Sequence, residues 1–105
     1  MFAKVHKRVR HTGGNPIVEQ VVALCDAELL GRVFEENDLF LDLKSHRGFY
    51  EGNRVSAKAA GELLKGAGNA NIVGEKSVAA AKKAFGKVNG VVKIQGVPHL
   101  QIYRV

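Results

Sequence analysis

The sequence is poor in the residues that cross-link or stack. It has 105 residues, with one cysteine, two prolines, no tryptophan and 7% aromatic residues. The single Cys25 excludes a disulfide within the chain, yet a chain of this length can bury roughly two-thirds of its unfolded surface without one. We therefore expect one globular domain over residues 1–105, in a reducing, cytoplasmic setting.

Long apolar runs are also missing. No stretch approaches the ~20 apolar residues of a membrane-spanning helix. The chain starts with Met1 and Phe2 and then alternates with charged positions, whereas a signal peptide needs an apolar run. We expect no membrane partner. Hydrophobic residues make up 46% of the chain and charged residues 25%, which is ordinary for a folded domain and argues against disorder.

Complete motifs for metals, nucleotides or catalysis are absent. Cys25 lies outside any Cys-x-x-Cys pair and the histidines are scattered, so we expect no metal site. The glycine-rich segment 66–71 follows a predicted helix and has Asn71 where a dinucleotide fingerprint needs its third glycine, so we interpret it as a connector between two helices. The alternative that backbone amides at the start of the next helix bind a phosphate is not excluded by the sequence. We expect no cofactor, and no serine shows the signature of an activated nucleophile, which leaves open whether the protein is an enzyme.

Charge is abundant but unevenly distributed. Sixteen Lys and Arg residues against ten Asp and Glu residues give a net charge of +6. Six of these acids but only one of the bases lie between residues 26 and 42. A molecule with such segregated charge orients itself towards a polyanion. The acidic segment would face away from an RNA, or would meet a basic protein partner at Glu35, Glu36 and Asp38.

Hydrophobic periodicity predicts an α+β fold: a small, mostly antiparallel β-sheet with two main helices packed on it and one short helix. Residues 2–10 alternate as in a strand, and residues 17–24 are predicted to pair back on them across a turn at residues 12–16. Three further strands are predicted at residues 39–43, 91–95 and 100–105.

Capping residues predict where the first two helices begin. Asp26 is predicted to cap a short helix over residues 27–30, because its carboxylate can accept orphan amide protons, and Gly31 suits the end of that helix. Ser56 is a good N-cap for the first main helix, over residues 57–65.

A second main helix is predicted to begin near Asn69 or Asn71 and to run to Phe85, with Gly86 at its C-cap. On such a helix Asn71 and Glu75, which are four residues apart, share a face.

Basic side chains form the first candidate site. On a strand over residues 4–10, alternate side chains project from one face at intervals of about 6.6 Å, which is comparable with the spacing of phosphates along a nucleic-acid strand. This set comprises Lys4, His6, Arg8 and Arg10 on the strand, joined by Lys76, Lys82 and Lys83 on the second main helix. Binding through such residues releases counterions and depends strongly on salt. The alternative is that they only confer solubility.

The scarcity of aromatic residues favours one class of nucleic acid. The chain has no tryptophan and no alternating pattern of exposed rings such as RNA-recognition motifs use to stack bases. Recognition of the backbone and shape of structured RNA fits better. We therefore predict an RNA- or ribosome-associated accessory protein that binds the nucleic-acid backbone and performs no catalysis.

Three segments resemble the small archaeal proteins of domain of unknown function family 424: Cys25–Gly31, Asn71–Glu75 and Ile94–Gln101. The resemblance covers nearly the whole chain. It implies an archaeal, cytoplasmic, single-domain protein with no established activity. The basic N-terminal segment from His6 to His11 departs from the shorter N-terminal segments of that family. A role for this segment need not be shared by other members of the family.

These segments contain the second candidate site. We expect a turn at Gly74 to pack against the corner formed by residues 96–99. In one interpretation this contact only locks the second main helix to the sheet. In the other, a small enzyme or ligand-binding protein uses a polar pocket lined by Asn71, Glu75, His99 and Gln101.

Overall fold

A computed structural model describes residues 1–103; Arg104 and Val105, which the sequence assigns to the last strand, lie outside the described residues. The strands are β1 (Phe2–Thr12), β2 (Asn15–Cys25), β3 (Val33–Glu36), β4 (Leu39–Asp42), β5 (Asn53–Arg54), β6 (Asn69–Val73), β7 (Val92–Ile94) and β8 (Val97–Tyr103). The helices are α1 (Arg47–Tyr50), α2 (Ala57–Gly66) and α3 (Glu75–Phe85), and a 3₁₀ turn covers Ala27–Leu29. Among these residues, no helix is long and apolar enough to cross a membrane.

The predicted α+β class is confirmed. Within the described residues, six strands form one sheet in the order β5-β1-β2-β6-β8-β7, and β3 and β4 form a separate hairpin. Every pairing is antiparallel except that of β2 with β6. A parallel pair needs a long crossover connection, and the segment between β2 and β6 supplies one that contains α1 and α2.

The first two strands form a long hairpin, as their alternation predicts. Gly13 and Gly14 connect them with φ angles of +61° and +88°, which suits a two-residue hairpin turn. The far half of the hairpin lies beyond the core, and apolar side chains there, including Val9 and Val18, are exposed. The molecule is correspondingly elongated, with extents of 43 × 29 × 26 Å.

The sheet has a core on each face. Because side chains alternate along a strand, Val22 and Leu24 of β2 face one way and Ala23 and Cys25 the other. The first pair packs with α2 and α3, which supply residues such as Leu64 and Val78. The second pair packs with the β3–β4 hairpin and α1, through residues that include Phe34, Leu41 and Tyr50. We call these the helix face and the hairpin face of the sheet.

The second main helix begins later than predicted. Residues 69–73 form strand β6, which pairs with β2 on one side and β8 on the other, and α3 starts at Glu75. Two ladders of hydrogen bonds outweigh the helical spacing of the local sequence. The glycine-rich segment therefore connects a helix to a strand, and the interpretation as a connector between two helices is wrong. The predicted end at Phe85, with Gly86 at the C-cap and a φ of +81°, is confirmed.

Asp26 caps a different helix from the one predicted. Its side chain makes no hydrogen bond to the 3₁₀ turn that follows it. Instead, one carboxylate oxygen accepts from the amide of Lys76 at 3.1 Å, and the other accepts from the amide and the hydroxyl of Ser77. The Asp26 carboxylate thus occupies the N-terminus of α3, the position for which the sequence allowed a bound phosphate. A local capping pattern could not show a partner fifty residues away.

The expected contact between the Gly74 turn and the corner at residues 96–99 is present. The amide of Gly74 donates to the carbonyl of Pro98 at 2.9 Å. Gly74 has a φ of +107°, and a Cβ at this position would lie closer than 3.0 Å to the Asp26 carboxylate. Only glycine fits this junction between β6 and α3.

The remaining predicted strands at residues 39–43 and 91–95 correspond to β4 and β7. Strand β8 begins at Val97, three residues before its predicted start, because the turn lies at Gln95 and Gly96, whose φ angles are +51° and +79°.

Candidate functional site

Part of the hairpin face of the sheet is not covered by the β3–β4 hairpin or α1. Strand register places Arg8 opposite Glu19, Val21 opposite Asn69, and Asn71 opposite Gln101. Directly opposed residues point to the same side of a sheet. We call this surface the open face, and it comprises Arg8, Arg10, Glu19, Val21, Asn69, Asn71, Gln101 and Tyr103. Most of these residues line a cavity of about 440 Å³.

The open face retains an excess of positive charge. Arg10 pairs with Glu19 at 2.8 Å, and the arginine side chain is still 58% exposed. Arg8 has no ion-pair partner among residues 1–103. An anion can therefore reach Arg8 without displacing a carboxylate.

Lys4 and His6, the other predicted cations of β1, contact helix α1. The ammonium of Lys4 donates to the carbonyl of Gly48 at 2.7 Å. The His6 ring stacks on Phe49, with centroids 4.4 Å apart and planes 6° from parallel, and its Nε2 lies 2.8 Å from the Phe49 carbonyl oxygen. These two residues hold α1 against the sheet, and phosphate binding by them stays a prediction.

The lysines of α3 lie on the opposite side of the sheet from Arg8 and Arg10. The buried residues of α3, such as Val78 and Ala81, pack on the helix face. Lys76, Lys82 and Lys83 are exposed on the outside of this helix. The structure therefore divides the predicted basic residues between two separate surfaces.

Asn71 links two polar groups of the hairpin face. Its Oδ1 accepts a hydrogen bond from the Tyr50 hydroxyl at 2.7 Å and lies 2.9 Å from Nε2 of His99. An amide oxygen is only an acceptor, so this contact assigns the His99 proton to Nε2 and leaves Nδ1 as an acceptor. Burial lowers the pKa of His99 and raises the pKa of Tyr50. Both side chains are therefore neutral near pH 7.

Glu75 is separate from this cluster. It is exposed at the start of α3 and lines a different cavity, of about 280 Å³, with Asp26, Glu28 and Pro98. The predicted face shared by Asn71 and Glu75 does not exist, because Asn71 belongs to a strand. Of the predicted polar pocket, the structure brings together Asn71 and His99, with Gln101 next to Asn71 in register.

A further cavity of about 340 Å³ lies between the β3–β4 hairpin, α1 and β6. Its walls include Phe40, Asp42, Phe49, Tyr50 and Asn71, and we call it the aromatic cavity. Phe40, Tyr50 and Asn69 were not predicted as site residues from the sequence. Asn69 and Asn71, like Gln101 and Tyr103, are two residues apart, a spacing that places side chains together on one face once β6 is known to be a strand.

The acidic residues of the β3–β4 hairpin are partly engaged within the molecule. Oε1 of Glu36 accepts from the amide of Gln95 at 2.6 Å, and the amide of Glu35 donates to the side chain of Gln95 at 3.2 Å. Asp38 is exposed at the turn. A basic protein partner at these residues stays a prediction. Among residues 1–103, no three His, Cys, Asp or Glu side chains are grouped closely enough to hold a metal ion.

Residues 18–105 match the family described as protein of unknown function (DUF424). The chain belongs to this family. This confirms the resemblance seen in the three sequence segments. The DUF424 match begins inside β2, so β1, with Arg8 and Arg10, lies outside the matched range.

A solved structure shares the fold of this DUF424 chain. It is the crystal structure of an uncharacterized conserved protein from Methanopyrus kandleri, with a TM-score of 0.63 and 26% identity, over 94% of this chain and 90% of that chain. No curated protein matches the chain.

Proposed function

We propose that this DUF424 protein is a cytoplasmic, ribosome-associated accessory protein that binds structured RNA through its open face. One observation carries the proposal: Arg8 and Arg10 line the same cavity as Asn69, Asn71 and Tyr103. Charge, amide groups and an exposed ring therefore occupy one continuous concave surface.

These groups suit the chemistry of an RNA strand. A guanidinium offers paired N–H donors that match the oxygens of a phosphate. Asparagine and glutamine amides can hydrogen-bond to 2′-hydroxyls, which mark RNA, and to base edges. The Tyr103 side chain is 73% exposed at the end of β8, where it can stack on a base.

The ion pair of Arg10 with Glu19 does not prevent phosphate binding. The side chains of Arg10 and Glu19 are 58% and 23% exposed, so water reaches the pair, and ion pairs that water screens contribute only about 0–1 kcal/mol to stability. A phosphate held by Arg8 can therefore recruit Arg10 at little energetic cost.

Filter binding of a ribosomal RNA fragment at 50 and 200 mM salt tests this proposal. Two phosphate contacts imply that the fourfold rise in salt weakens binding by about tenfold. Binding that is micromolar or weaker at the lower salt concentration and shows no salt dependence would contradict it.

The Tyr50–Asn71–His99 cluster favours a second candidate function, a small enzyme or ligand-binding protein. His99 is neutral near pH 7, and its Nε2 contacts Asn71, which lines the aromatic cavity; a neutral imidazole has one unprotonated nitrogen and can act as a general base. Thermal stabilisation by a small ligand, lost in His99→Ala, would favour this candidate, whereas a stabilisation that survives the substitution would oppose it.

A further inference from the structure

The aromatic cavity is walled by rings that come from separate elements. Phe40 on β4 is 61% exposed, so its ring is accessible to a ligand. Phe49 on α1 is held by two neighbouring rings: His6 stacks on it, and the Tyr50 ring lies perpendicular to it, with centroids 5.0 Å apart and an interplanar angle of 87°. A planar ligand would find one accessible ring at the rim and a rigid ring in the wall.

The cavity also presents unused hydrogen-bonding capacity. Asn71 uses only its Oδ1 within the protein, and its Nδ2 has no partner among residues 1–103. The Asp42 carboxylate is held in place by the amides of Lys44 and Ser45, at 3.0 and 2.8 Å. A carboxylate has about four acceptor positions, so it can still accept from a ligand. One donor and one acceptor thus accompany the rings, and this combination suits the edge of a nucleobase.

The aromatic cavity adjoins the open face. Phe49 and Asn71 line both the aromatic cavity and the cavity that contains Arg8 and Arg10. A volume of about 340 Å³ is at the lower end of the range of small-ligand sites, roughly 300–1,000 Å³. The aromatic cavity therefore suits a ligand the size of one base with its sugar.

We propose that the aromatic cavity binds one unpaired nucleobase of the RNA whose phosphates lie on the open face. This base stacks on Phe40, contacts Phe49 and is hydrogen-bonded to Asn71. This inference rests on the proposed function and adds base recognition to it. Structured RNA supplies such bases in loops and bulges, where they can be turned out of the stack.

Titration with ribonucleoside 5′-monophosphates tests the base site without RNA. In NMR spectra, the side-chain amide of Asn71 and the ring of Phe40 are expected to shift. The Asn71 shift should disappear in Phe40→Ala and persist in Leu39→Ala. Leu39 is a matched control, since it is 42% exposed on the same strand and does not line the cavity. Both replaced side chains are exposed, so the fold should survive either substitution. Absence of any shift in the unsubstituted protein would overturn the proposal.

A hairpin RNA with 2-aminopurine in its loop tests the source of the base. Stacking quenches this fluorophore, so its emission should fall on binding and should not fall with Phe40→Ala. The same substitution should weaken RNA binding about fivefold or more, since a stacked base contributes at least that much, and should leave the salt dependence unchanged.

The two experiments separate the two claims. Salt-dependent RNA binding with neither quenching nor an Asn71 shift would refute the base site and leave the proposed function standing. Asn71 shifts with free monophosphates, but no RNA binding, would refute both the proposed function and RNA as the source of the base, and would assign the cavity to free nucleotides.

Discussion

The Asp26 carboxylate accepts hydrogen bonds from both the amide and the hydroxyl of Ser77, at 2.8 and 2.7 Å. Both residues are buried, with Asp26 only 3% exposed. The contact ties the end of β2 to the start of α3, across fifty-one positions of the chain. It fixes the direction in which the chain leaves β6, the strand that carries Asn69 and Asn71 into the open face.

Replacement of Asp26 by alanine should destabilise the fold by about 2 kcal/mol or more. The change removes an N-cap and leaves the Ser77 hydroxyl and two amides without their acceptor in a buried site. Urea denaturation measures the loss. Glu28→Ala is the control, because Glu28 is exposed on the adjacent 3₁₀ turn and should change stability by less than about 0.5 kcal/mol. Equal effects of the two substitutions would contradict the capping role.

Gly74→Ala should also destabilise the protein, by about 1–3 kcal/mol. A side chain at Gly74 is strained at a φ of +107° and would collide with the Asp26 carboxylate. Gly66→Ala is the matched control, since Gly66 ends α2 with open space around it, and there alanine should be neutral or stabilising. Thermal melts of the two variants should therefore shift differently; a melting temperature for Gly74→Ala at or above that of Gly66→Ala would disprove the strain.

His99 should make stability depend on pH. Burial lowers its pKa in the folded protein below the ordinary value of 6.5, so the unfolded chain takes up the proton first as the pH falls. The contribution of neutral His99 is complete above about pH 6.5 and is lost as the pH falls through the folded pKa, by about 1.4 kcal/mol for each unit of depression. Urea denaturation between pH 7.5 and 5 measures this slope. His99→Gln keeps a hydrogen-bond donor for Asn71 but cannot titrate, so it should remove the contribution of His99 to the slope of stability against pH. An unchanged slope in this variant would contradict the lowered pKa of His99.

Cys25 should be inert in the folded protein. Burial, assisted by the nearby carboxylates of Asp26 and Glu28, raises the pKa of its thiol to about 12, and its side chain is inaccessible. Reaction with Ellman's reagent should be about a thousandfold or more slower than in urea, because it must wait for unfolding. Rapid labelling at pH 8 without denaturant would show that the β2 end of the sheet opens locally.

Local pattern was sufficient for two elements whose partners are adjacent in sequence, although it missed β3, which pairs with the adjacent β4. The β1–β2 hairpin follows from alternating side chains around two glycines, and α2 follows from Ser56, whose side chain accepts from the amide of Ala59. Strand β6 could not be predicted in this way. Asn69 and Asn71 resemble helix-capping residues, and only pairing with β2 and β8 makes the segment a strand.

The same strand explains why the two candidate sites were predicted as separate. Parallel pairing of β6 with β2 brings Asn71 to the face that carries Arg8 and Arg10, although more than sixty residues separate Asn71 from Arg10 in sequence. The lysines of α3 were grouped with those arginines on charge alone. Their place on the opposite face depends on which side of the sheet the helix packs, and this is a property of the tertiary structure.

Binding of RNA to the open face can be tested by comparing two double variants in salt-dependent filter binding. Arg8→Ala with Arg10→Ala should reduce the slope of log affinity against log salt by about 2. Lys82→Ala with Lys83→Ala removes the same charge from the opposite side of the sheet and should leave the slope nearly unchanged. An equal reduction of the slope in both double variants, or no reduction in the arginine double variant, would contradict RNA binding by the open face.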